Sequence, residues 1–316
     1  MSDGRGTGSA RRVLLIAGPT ASGKSALALE IACVQGGEIV NADAMQVYRD
    51  LRSLTARPSP DDEARVPHHL FGVLDGTVAC SAARWAAMAR DVVEGILARG
   101  ALPIVVGGTG LYFRALKEGL SAIPAIPQLN REAARILVEE LGPRDAHDYL
   151  AERDPQTAAR IGPRDPQRIA RALEVLAATG RGLAAWQAEP PRPVLRADFL
   201  SVVLAPPRAA VQARAEKRLA RMLTQGALDE VAALLARNLD PRLPVMKAVG
   251  VEPLARHLRG EIGLEAAIQA TAAQTRRYIK RQETWRRTQM ITWQPIVAQE
   301  METQRQEIFR LLSESA

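Results

Sequence analysis

Hydrophobic and polar positions in the first third of the chain alternate between short apolar runs and helical periodicities. Apolar runs at Val13–Ala17, Glu38–Asn41 and Leu102–Val106 predict strands, while helical spacing follows Lys24 and extends from Ala82 to Arg99. Strands that alternate with helices pair in parallel through right-handed crossovers. The pattern therefore predicts an α/β core with a parallel sheet flanked by helices.

The middle of the chain has a different pattern. From Gln128 to Trp186 the apolar runs vanish, and alanine, leucine and arginine recur at helical spacing. Proline-rich segments at 123–127 and 190–193 bound this stretch. We predict a helical insertion domain at residues 123–196, and we expect it to interrupt the α/β core.

The core pattern resumes after the insertion. An apolar run at Phe199–Leu204 predicts another strand, and helical spacing then dominates, so the core is expected to comprise residues 13–122 and 197–297. Residues 1–12 are predicted to be a disordered N-terminal segment. Residues 298–316 read as a final helix.

The composition of the chain limits the cellular locations and partners that can be expected. No run of the 316 residues reaches the roughly 18 apolar positions of a membrane helix, and the first twelve residues lack a signal-peptide core. Cys33 and Cys80 lack metal or redox spacing and are expected to be small buried residues. These features predict a cytoplasmic protein without a membrane partner. The net charge of +7 suggests a nucleic-acid partner, but whether the chain binds one must be judged from where the cations cluster.

A glycine-rich loop follows the first predicted strand and matches the phosphate-binding template G-x-x-x-x-G-K-[ST]. Such a loop (P-loop) offers backbone N–H groups and a helix N-terminus to phosphate oxygens, with a lysine at the terminal phosphates and a hydroxyl for Mg²⁺. The alternative is a simple turn. The loop alone leaves open whether phosphate is hydrolysed, transferred or lost as a leaving group. Its residues are Gly18, Pro19, Thr20, Ala21, Ser22, Gly23, Lys24 and Ser25.

Carboxylates near the sheet indicate which phosphate chemistry is expected. Leu102–Val106 ends in glycines and lacks the strand-end acid that holds Mg²⁺ in many nucleotide hydrolases, which disfavours a motor or GTPase. Asp43 follows Glu38–Asn41 at the edge where open sheets bind ligands, so an ionised Asp43 could accept a proton from a nucleophile. The alternative is that Asp43 caps a following helix.

A second glycine loop, Gly107–Gly110, follows the strand at Leu102–Val106. It could bring backbone amides and the Thr109 hydroxyl to the same pocket, or it could be a tight turn between strand and helix.

Cations cluster most strongly between Arg276 and Arg287. Helical spacing places Arg277, Lys280, Arg281 and Thr284 on one face and Tyr278 with Trp285 on another. Such a helix suits a phosphate backbone, although solvated basic helices are also common.

Two smaller arginine groups add to this distribution. Arg164, Arg168 and Arg171 lie in the predicted insertion, and separated basic surfaces suit a large polyanion. Arg214 and Arg218 lie one helical turn apart, where they could clamp a phosphate unless Glu216 and solvent satisfy them.

Several segments together resemble the tRNA dimethylallyltransferase (tRNA isopentenyltransferase) family from about Val13 to Trp293. The absence of a C-terminal Cys/His zinc module resembles the shorter bacterial form. The matching blocks are GPTASGKS at 18–25, NADAMQVYRDL at 41–51, TARPSPDDEARVPHHL at 55–70, VVGGTGLYFRAL at 105–116, DPQRIARALEV at 165–175 and YIKRQETWRR at 278–287.

The resemblance implies an activity. A dimethylallyl group would pass from dimethylallyl diphosphate to the exocyclic amine (N6) of the adenosine 3′-adjacent to the anticodon, with Mg²⁺ and release of diphosphate. It implies that Asp43 is the general base, that Thr109 lies near the reaction centre, and that Ser25 contacts the metal or diphosphate. Arg214 and Arg218 fall on the diphosphate side.

The resemblance also implies tRNA contacts, and one chain holding both substrate sites suggests a monomer. Val251 and Glu252 depart from the residues usual in relatives. Three alternatives remain: a P-loop kinase of a small metabolite, a prenyltransferase acting on free adenine nucleotides, and a non-catalytic RNA-binding protein. The implied contacts with the tRNA anticodon stem-loop are Asp43, Ala44, Met45, Gln46, Gln167, Arg168, Ile169, Ala170, Arg171, Lys247, Lys280, Arg281, Trp285 and Arg287.

Overall fold

A parallel sheet organises the part of the chain that the structure describes. The structure is a computed structural model that describes residues 11–314. The strands lie in the order β3-β2-β4-β1-β5-β6, and each neighbouring pair is parallel, which confirms the predicted fold class. The strands are β1 (Arg12–Ala17), β2 (Gly37–Asn41), β3 (His68–His69), β4 (Leu102–Gly107), β5 (Asp198–Leu204) and β6 (Gln294–Ile296).

Two short strands at the edges of the sheet were not predicted. β3 has two residues and β6 has three, too few to show a period of two, and β3 consists of histidines. Residues 1–10, most of the segment predicted to be disordered, lie outside the described residues. Arg12, at the end of that segment, already belongs to β1.

Helices connect and flank the strands. α12 is the longest of those in the core, and no helix within residues 11–314 has the length and apolar character needed to cross a membrane. The helices of the core are α1 (Lys24–Gln35), α2 (Pro60–Arg65), α3 (Ala82–Ala98), α4 (Gly110–Lys117), α9 (Arg208–Thr224), α10 (Ala227–Ala236), α11 (Val251–Leu258), α12 (Leu264–Gln289) and α13 (Met301–Glu314).

The apolar core is built on the sheet. Leu14 and Ile16 of β1 are fully buried in a cluster that includes Ile31 of α1 and Ile308 of α13. Leu15 points to the other side of the strand and is equally buried. Burial on both sides is typical of parallel sheets. It fixes the strand register and therefore the positions of the loops that follow β1, β2 and β4.

Glu118–Pro193 forms a second compact unit, whose regular secondary structure is helical apart from a single β-bridge. α5 bends at Gly142, whose left-handed backbone precedes a proline. α5 packs against α7 around buried residues that include Leu150 and Ile169. The helices of this unit are α5 (Gln128–Arg153), α6 (Pro155–Ala158), α7 (Pro166–Thr179) and α8 (Leu183–Gln187).

The two thiols are less buried than expected. Cys33 is exposed on α1 and Cys80 is half-buried ahead of α3. The prediction that both are buried was therefore wrong. Cys33 lies near the end of α1, next to the exposed residue Val34.

Candidate active site

Three loops meet at the carboxyl edge of the sheet. β2, β4 and β1 are neighbours, so the loops that follow them start side by side. Gly18–Ser25 follows β1, Asp43 lies two residues after β2, and Gly108–Gly110 follows β4. Parallel strands all end at the same edge, which is where open α/β sheets bind ligands.

The phosphate loop adopts a compact conformation. Ala21 and Gly23 have left-handed backbone angles, and the Ser22 N–H donates to the Pro19 carbonyl oxygen at 3.2 Å. α1 begins at Lys24 without a side-chain cap. The first N–H groups of a helix lack partners within the helix, so the start of α1 can receive an anion.

Two cations near this loop are half-buried. Burial lowers the pKa of Lys24 to about 8, with nearby Arg218 acting in the same direction and Asp43 opposing it. Burial also lowers the pKa of Arg218, which donates a hydrogen bond to the Thr20 hydroxyl. Positive charge that has lost part of its solvation is unfavourable without a counter-charge, so the site electrostatically favours an anionic ligand.

Two buried polar groups beside the loop lack hydrogen-bond partners within the described residues. They are the Ser22 hydroxyl and the Nε and Nη2 atoms of Arg214. An unsatisfied buried donor costs on the order of 1–3 kcal/mol, and a guanidinium has five donors to satisfy. Arg214 does not line the cavity that Arg218 borders. It lies one turn before Arg218 on α9 and has free donors for a phosphate.

Asp43 is held by its neighbours in the chain. Its N–H donates to Asn41 Oδ1 at 2.8 Å, and one carboxylate oxygen accepts the Met45 N–H at 3.0 Å. The Asn41 carbonyl in turn accepts the Trp85 indole N–H at 2.8 Å. Residues 44–47 form turns and no helix begins between Asp43 and Pro60, so the alternative of a helix cap was wrong.

The second glycine loop is joined directly to the Asp43 loop. A Cβ atom at Gly107 would overlap the Ala42 carbonyl, so only glycine permits this approach. The Thr109 N–H donates to the Ala42 carbonyl at 3.1 Å, and the Thr109 hydroxyl accepts the Ala44 N–H at 2.9 Å. Asp43 and Thr109 are therefore positioned as one unit.

A cavity of about 410 Å³ opens between these loops and helices α9 and α12. The prediction that the second glycine loop borders the same pocket as Asp43 is confirmed. The volume is large enough for two small organic groups side by side. Its polar wall includes Thr20, Asp43, Thr109, Arg218 and Arg281, and its apolar wall includes Leu54, Leu219, Met222 and Val249.

The apolar wall depends on a carboxylate from α10. Glu230 Oε1 accepts the N–H groups of Arg52 and Ser53 at 3.0 and 2.7 Å, and Oε2 accepts the Leu54 N–H at 3.0 Å. Three backbone donors on one carboxylate fix the loop that carries Leu54 into the cavity. The sequence contains no local sign of this contact because Glu230 is distant along the chain.

α12 lines the cavity with residues spaced three or four apart, which are Thr271, Thr275, Tyr278, Gln282 and Trp285. Burial, together with the charge of Asp43, raises the pKa of Tyr278. Tyr278 and Trp285 were predicted to share a face, but Gln282 between them was missed. The same helical spacing could have identified it.

The outer side of α12 carries exposed cations. Lys280, Arg281 and Arg287 are exposed, and Arg281 also reaches the cavity. Arg287 pairs with Glu283 at 2.8 Å, whereas Lys280 and Arg281 form no ion pair within residues 11–314. The predicted basic face is therefore present at the surface.

The remaining predicted RNA contacts of the core differ in accessibility. Ala44, Met45 and Lys247 line the cavity, but the Gln46 amide donates to the carbonyls of Thr55 and Ala56 at 2.8 and 3.0 Å. Gln46 therefore stabilises its own loop. Val251 is buried in the core, whereas Glu252 is exposed at the start of α11, 3.9 Å from Arg256.

The segment predicted to contact RNA in the helical unit needs a correction. Gln167 and Arg168 are exposed and Arg171 is half-buried, but Ile169 and Ala170 are buried in that unit's own core. Their side chains face inward because the α7 period places them toward α5, and they cannot reach a ligand outside. Arg168 and Arg171 form ion pairs with Asp165 and Glu174.

Ser25 is exposed near the start of α1. No cluster of three histidine, cysteine or carboxylate side chains within residues 11–314 could hold a metal. A hydroxyl at this position fits Mg²⁺, which keeps several waters and commonly binds through substrate phosphates with few protein ligands.

These features define an α/β protein with a phosphate-binding type of loop. Cations and a carboxylate lie in the wall of the same cavity beside this loop. Family models agree with this description: "IPP transferase" matches residues 46–289, and "Isopentenyl transferase" matches residues 11–67. The chain belongs to the tRNA dimethylallyltransferase (IPP transferase) family.

Individual relatives cover nearly the whole chain. The tRNA dimethylallyltransferase of Parvibaculum lavamentivorans is 56% identical over 96% of each chain. The crystal structure of the tRNA isopentenylpyrophosphate transferase of Bacillus halodurans is 29% identical, with a TM-score of 0.69 over 96% of each chain. A eukaryotic dimethylallyltransferase acting on tRNA is 28% identical, with a TM-score of 0.76 over 89% of this chain and 71% of that one.

Proposed function

We propose that the protein transfers a dimethylallyl group from dimethylallyl diphosphate to N6 of the adenosine 3′-adjacent to the anticodon in tRNA, with release of diphosphate. One observation carries the proposal: Asp43 faces the same cavity as Thr20 of the phosphate loop and Arg218. A proton acceptor and cations for a leaving group thus border one space.

The phosphate loop would bind the diphosphate. Lys24, Arg218 and Arg214 supply positive charge or free donors, and the N–H groups at the start of α1 point to the same anion. Negative charge on the diphosphate grows as the carbon–oxygen bond breaks. Fixed cations and amides stabilise that transition state more than the bound substrate.

The nucleophile is the adenine N6 amine. As the bond between the allylic carbon and the diphosphate oxygen breaks, a bond forms from N6 to that carbon, and one N6 proton passes to the Asp43 carboxylate. The Asn41 and Met45 contacts hold this carboxylate in place. Thr109, whose hydroxyl accepts the Ala44 N–H, would position the reacting groups beside it.

The Ser25 hydroxyl would hold Mg²⁺ together with oxygens of the bound diphosphate. The ion would supply positive charge to the leaving group.

The tRNA substrate must present a base that is normally stacked. Turning out an adenine costs a few kcal/mol, and contacts from the anticodon stem-loop can offset that cost. Exposed Lys280, Arg281 and Arg287, with Lys247 at the cavity, are the proposed contacts of the core. Gln167, Arg168 and Arg171 are those of the helical domain at 123–196. Trp285 would stack on a base.

A metabolite kinase and a prenyltransferase of free adenine nucleotides are less favoured. Neither makes use of the exposed cations of α12, and the relatives with high identity are named for tRNA. A non-catalytic RNA-binding protein has no use for a cavity bordered by Asp43, Thr20 and Arg218. We expect a monomer, because one chain contains both proposed substrate sites.

Incubation of the protein with labelled dimethylallyl diphosphate, Mg²⁺ and unmodified tRNA, with AMP as competitor, tests the proposal. Label should appear on the tRNA adenosine. Label on AMP, or phosphate transfer from ATP to a small acceptor in a parallel assay, would contradict it.

A further inference from the structure

Gln282 connects the two glycine loops of the cavity. Its Oε1 accepts the Thr20 N–H at 2.9 Å, and its Nε2 donates to the Gly108 carbonyl at 3.0 Å. One side chain of α12 therefore ties the phosphate loop to the loop that carries Thr109.

The bridge needs both the chemistry and the length of glutamine. A carboxamide is neutral and both donates and accepts, so it satisfies an N–H on one side and a carbonyl on the other. The fit is close, because a Cβ atom at Gly108 would overlap Gln282 Nε2. Asparagine is one methylene shorter, and methionine has neither a donor nor a strong acceptor.

The same helix carries the proposed RNA contacts. Lys280 and Arg281 immediately precede Gln282 in the chain, and both cations are exposed. α12 runs continuously from Leu264 to Gln289, so a ligand that restrains its outer face also restrains Gln282. Thr20 and Gly108 would then be restrained as well.

We propose that Gln282 couples RNA binding on α12 to diphosphate binding at the phosphate loop; this rests on the proposed function. In the free protein the loop loses conformational freedom when diphosphate binds. When RNA has already ordered α12, part of that loss has occurred, so diphosphate binds more tightly. By linkage, diphosphate tightens RNA binding by the same factor. The N–H groups at the start of α1 remain available to the phosphates, because within residues 11–314 the Thr20 N–H is the one N–H of the phosphate loop that donates to Gln282.

Calorimetric titration of the full chain with inorganic diphosphate and Mg²⁺, with and without a saturating unmodified anticodon stem-loop RNA, measures the coupling. We expect RNA to lower the diphosphate Kd of the natural protein at least about fivefold. For Gln282→Met the ratio of the two Kd values should be near one. Gln269→Met is a matched control on the same helix, since within residues 11–314 the Gln269 amide hydrogen-bonds only to the exposed Glu265, and it should keep the full ratio.

A natural protein without coupling, or a Gln282→Met variant with the full ratio, would overturn the inference. Gln282→Asn keeps an amide in the same environment and should also lose the coupling, so the test stands if the methionine variant fails to fold. A prenylation assay of the natural protein separates the two proposals. If the natural protein prenylates tRNA but both Gln282 variants keep the full coupling, only the role of Gln282 is rejected. If the natural protein does not prenylate tRNA, the proposed function is rejected.

Discussion

The cavity and the outer side of α12 hold positive charge in different ways. Lys24 of the phosphate loop and Arg218 of the cavity wall are half-buried and their pKa values are lowered, whereas Lys280 and Arg287 on the outer side are exposed. Interactions of partly buried charges are stronger and less screened, whereas exposed charges are screened by salt. Changes in the cavity should therefore alter turnover, and changes on the outer side should alter RNA affinity.

Replacement of the proposed base should have the largest effect. We expect Asp43→Asn to lower turnover at least tenfold, because an amide cannot accept the N6 proton; general bases typically contribute about 10² to 10⁴-fold. RNA affinity should remain nearly unchanged. Single-turnover kinetics with an RNA-binding titration measure both quantities.

The exposed Asp91 on α3 provides the control for that substitution, since Asp91→Asn removes a carboxylate that, among the described residues, forms an ion pair only with Arg90. It should leave turnover and affinity unaltered. Loss of RNA binding in Asp43→Asn, with turnover of the bound fraction preserved, would argue that Asp43 is an RNA contact and not the base.

The pH dependence of diphosphate binding should sharpen the contrast. The pKa of Lys24 is lowered to about 8, so the lysine is charged below that pH and neutral above it. Binding of the anion should weaken roughly tenfold between pH 7 and pH 9 through this group. Calorimetry across this range provides the measurement.

Lys24→Arg is the reference for this experiment because arginine stays charged throughout the range. Its residual pH dependence reports ionisation of the ligand, and the difference from the natural protein reports Lys24. An identical profile for both proteins would mean that Lys24 does not control binding over this range.

On the outer side of α12, Arg281→Ala with Arg287→Ala should weaken tRNA binding severalfold. The salt dependence of log K should become shallower by about one to two, because each lost phosphate contact removes slightly less than one unit of slope. Filter binding at several salt concentrations measures the slope. Arg90→Ala with Arg310→Ala removes the same charge from α3 and α13 and should leave the slope unchanged.

The smallest effect is expected in the helical unit. Arg168→Ala with Arg171→Ala should weaken RNA binding less than the α12 pair does, because both arginines already have acidic partners. The same filter-binding series compares the two pairs. A larger loss here than on α12 would invert the proposed ranking of the two basic surfaces.

Local patterns predicted much of the fold. The four longer strands and the two glycine loops were predicted because each depends on a few consecutive residues, such as the buried run that ends at Ala17. Asp43 and Thr109 were selected because each follows a predicted strand, where the carboxyl ends of parallel strands bind ligands. The strand order of the structure places both loops at that edge.

Contacts between residues distant along the chain were not predicted. The Gln282 bridge to Thr20 and the three N–H groups on Glu230 depend on how helices pack, and no local pattern encodes that. The inward orientation of Ile169 was missed for a related reason. A sequence match selects a whole segment, whereas the helical period turns some of its residues into the core.

Trp285 lies in the cavity wall, and its indole nitrogen occupies the space that a side chain at Gly110 would need. The chain has only four tryptophans, and Trp85 and Trp293 are buried in the core. Of Trp85, Trp285 and Trp293, only Trp285 borders the cavity. The molecule thus contains its own optical reporter: a base stacked on this indole should quench its emission, and occupancy can be followed in the unlabelled protein as binding occurs.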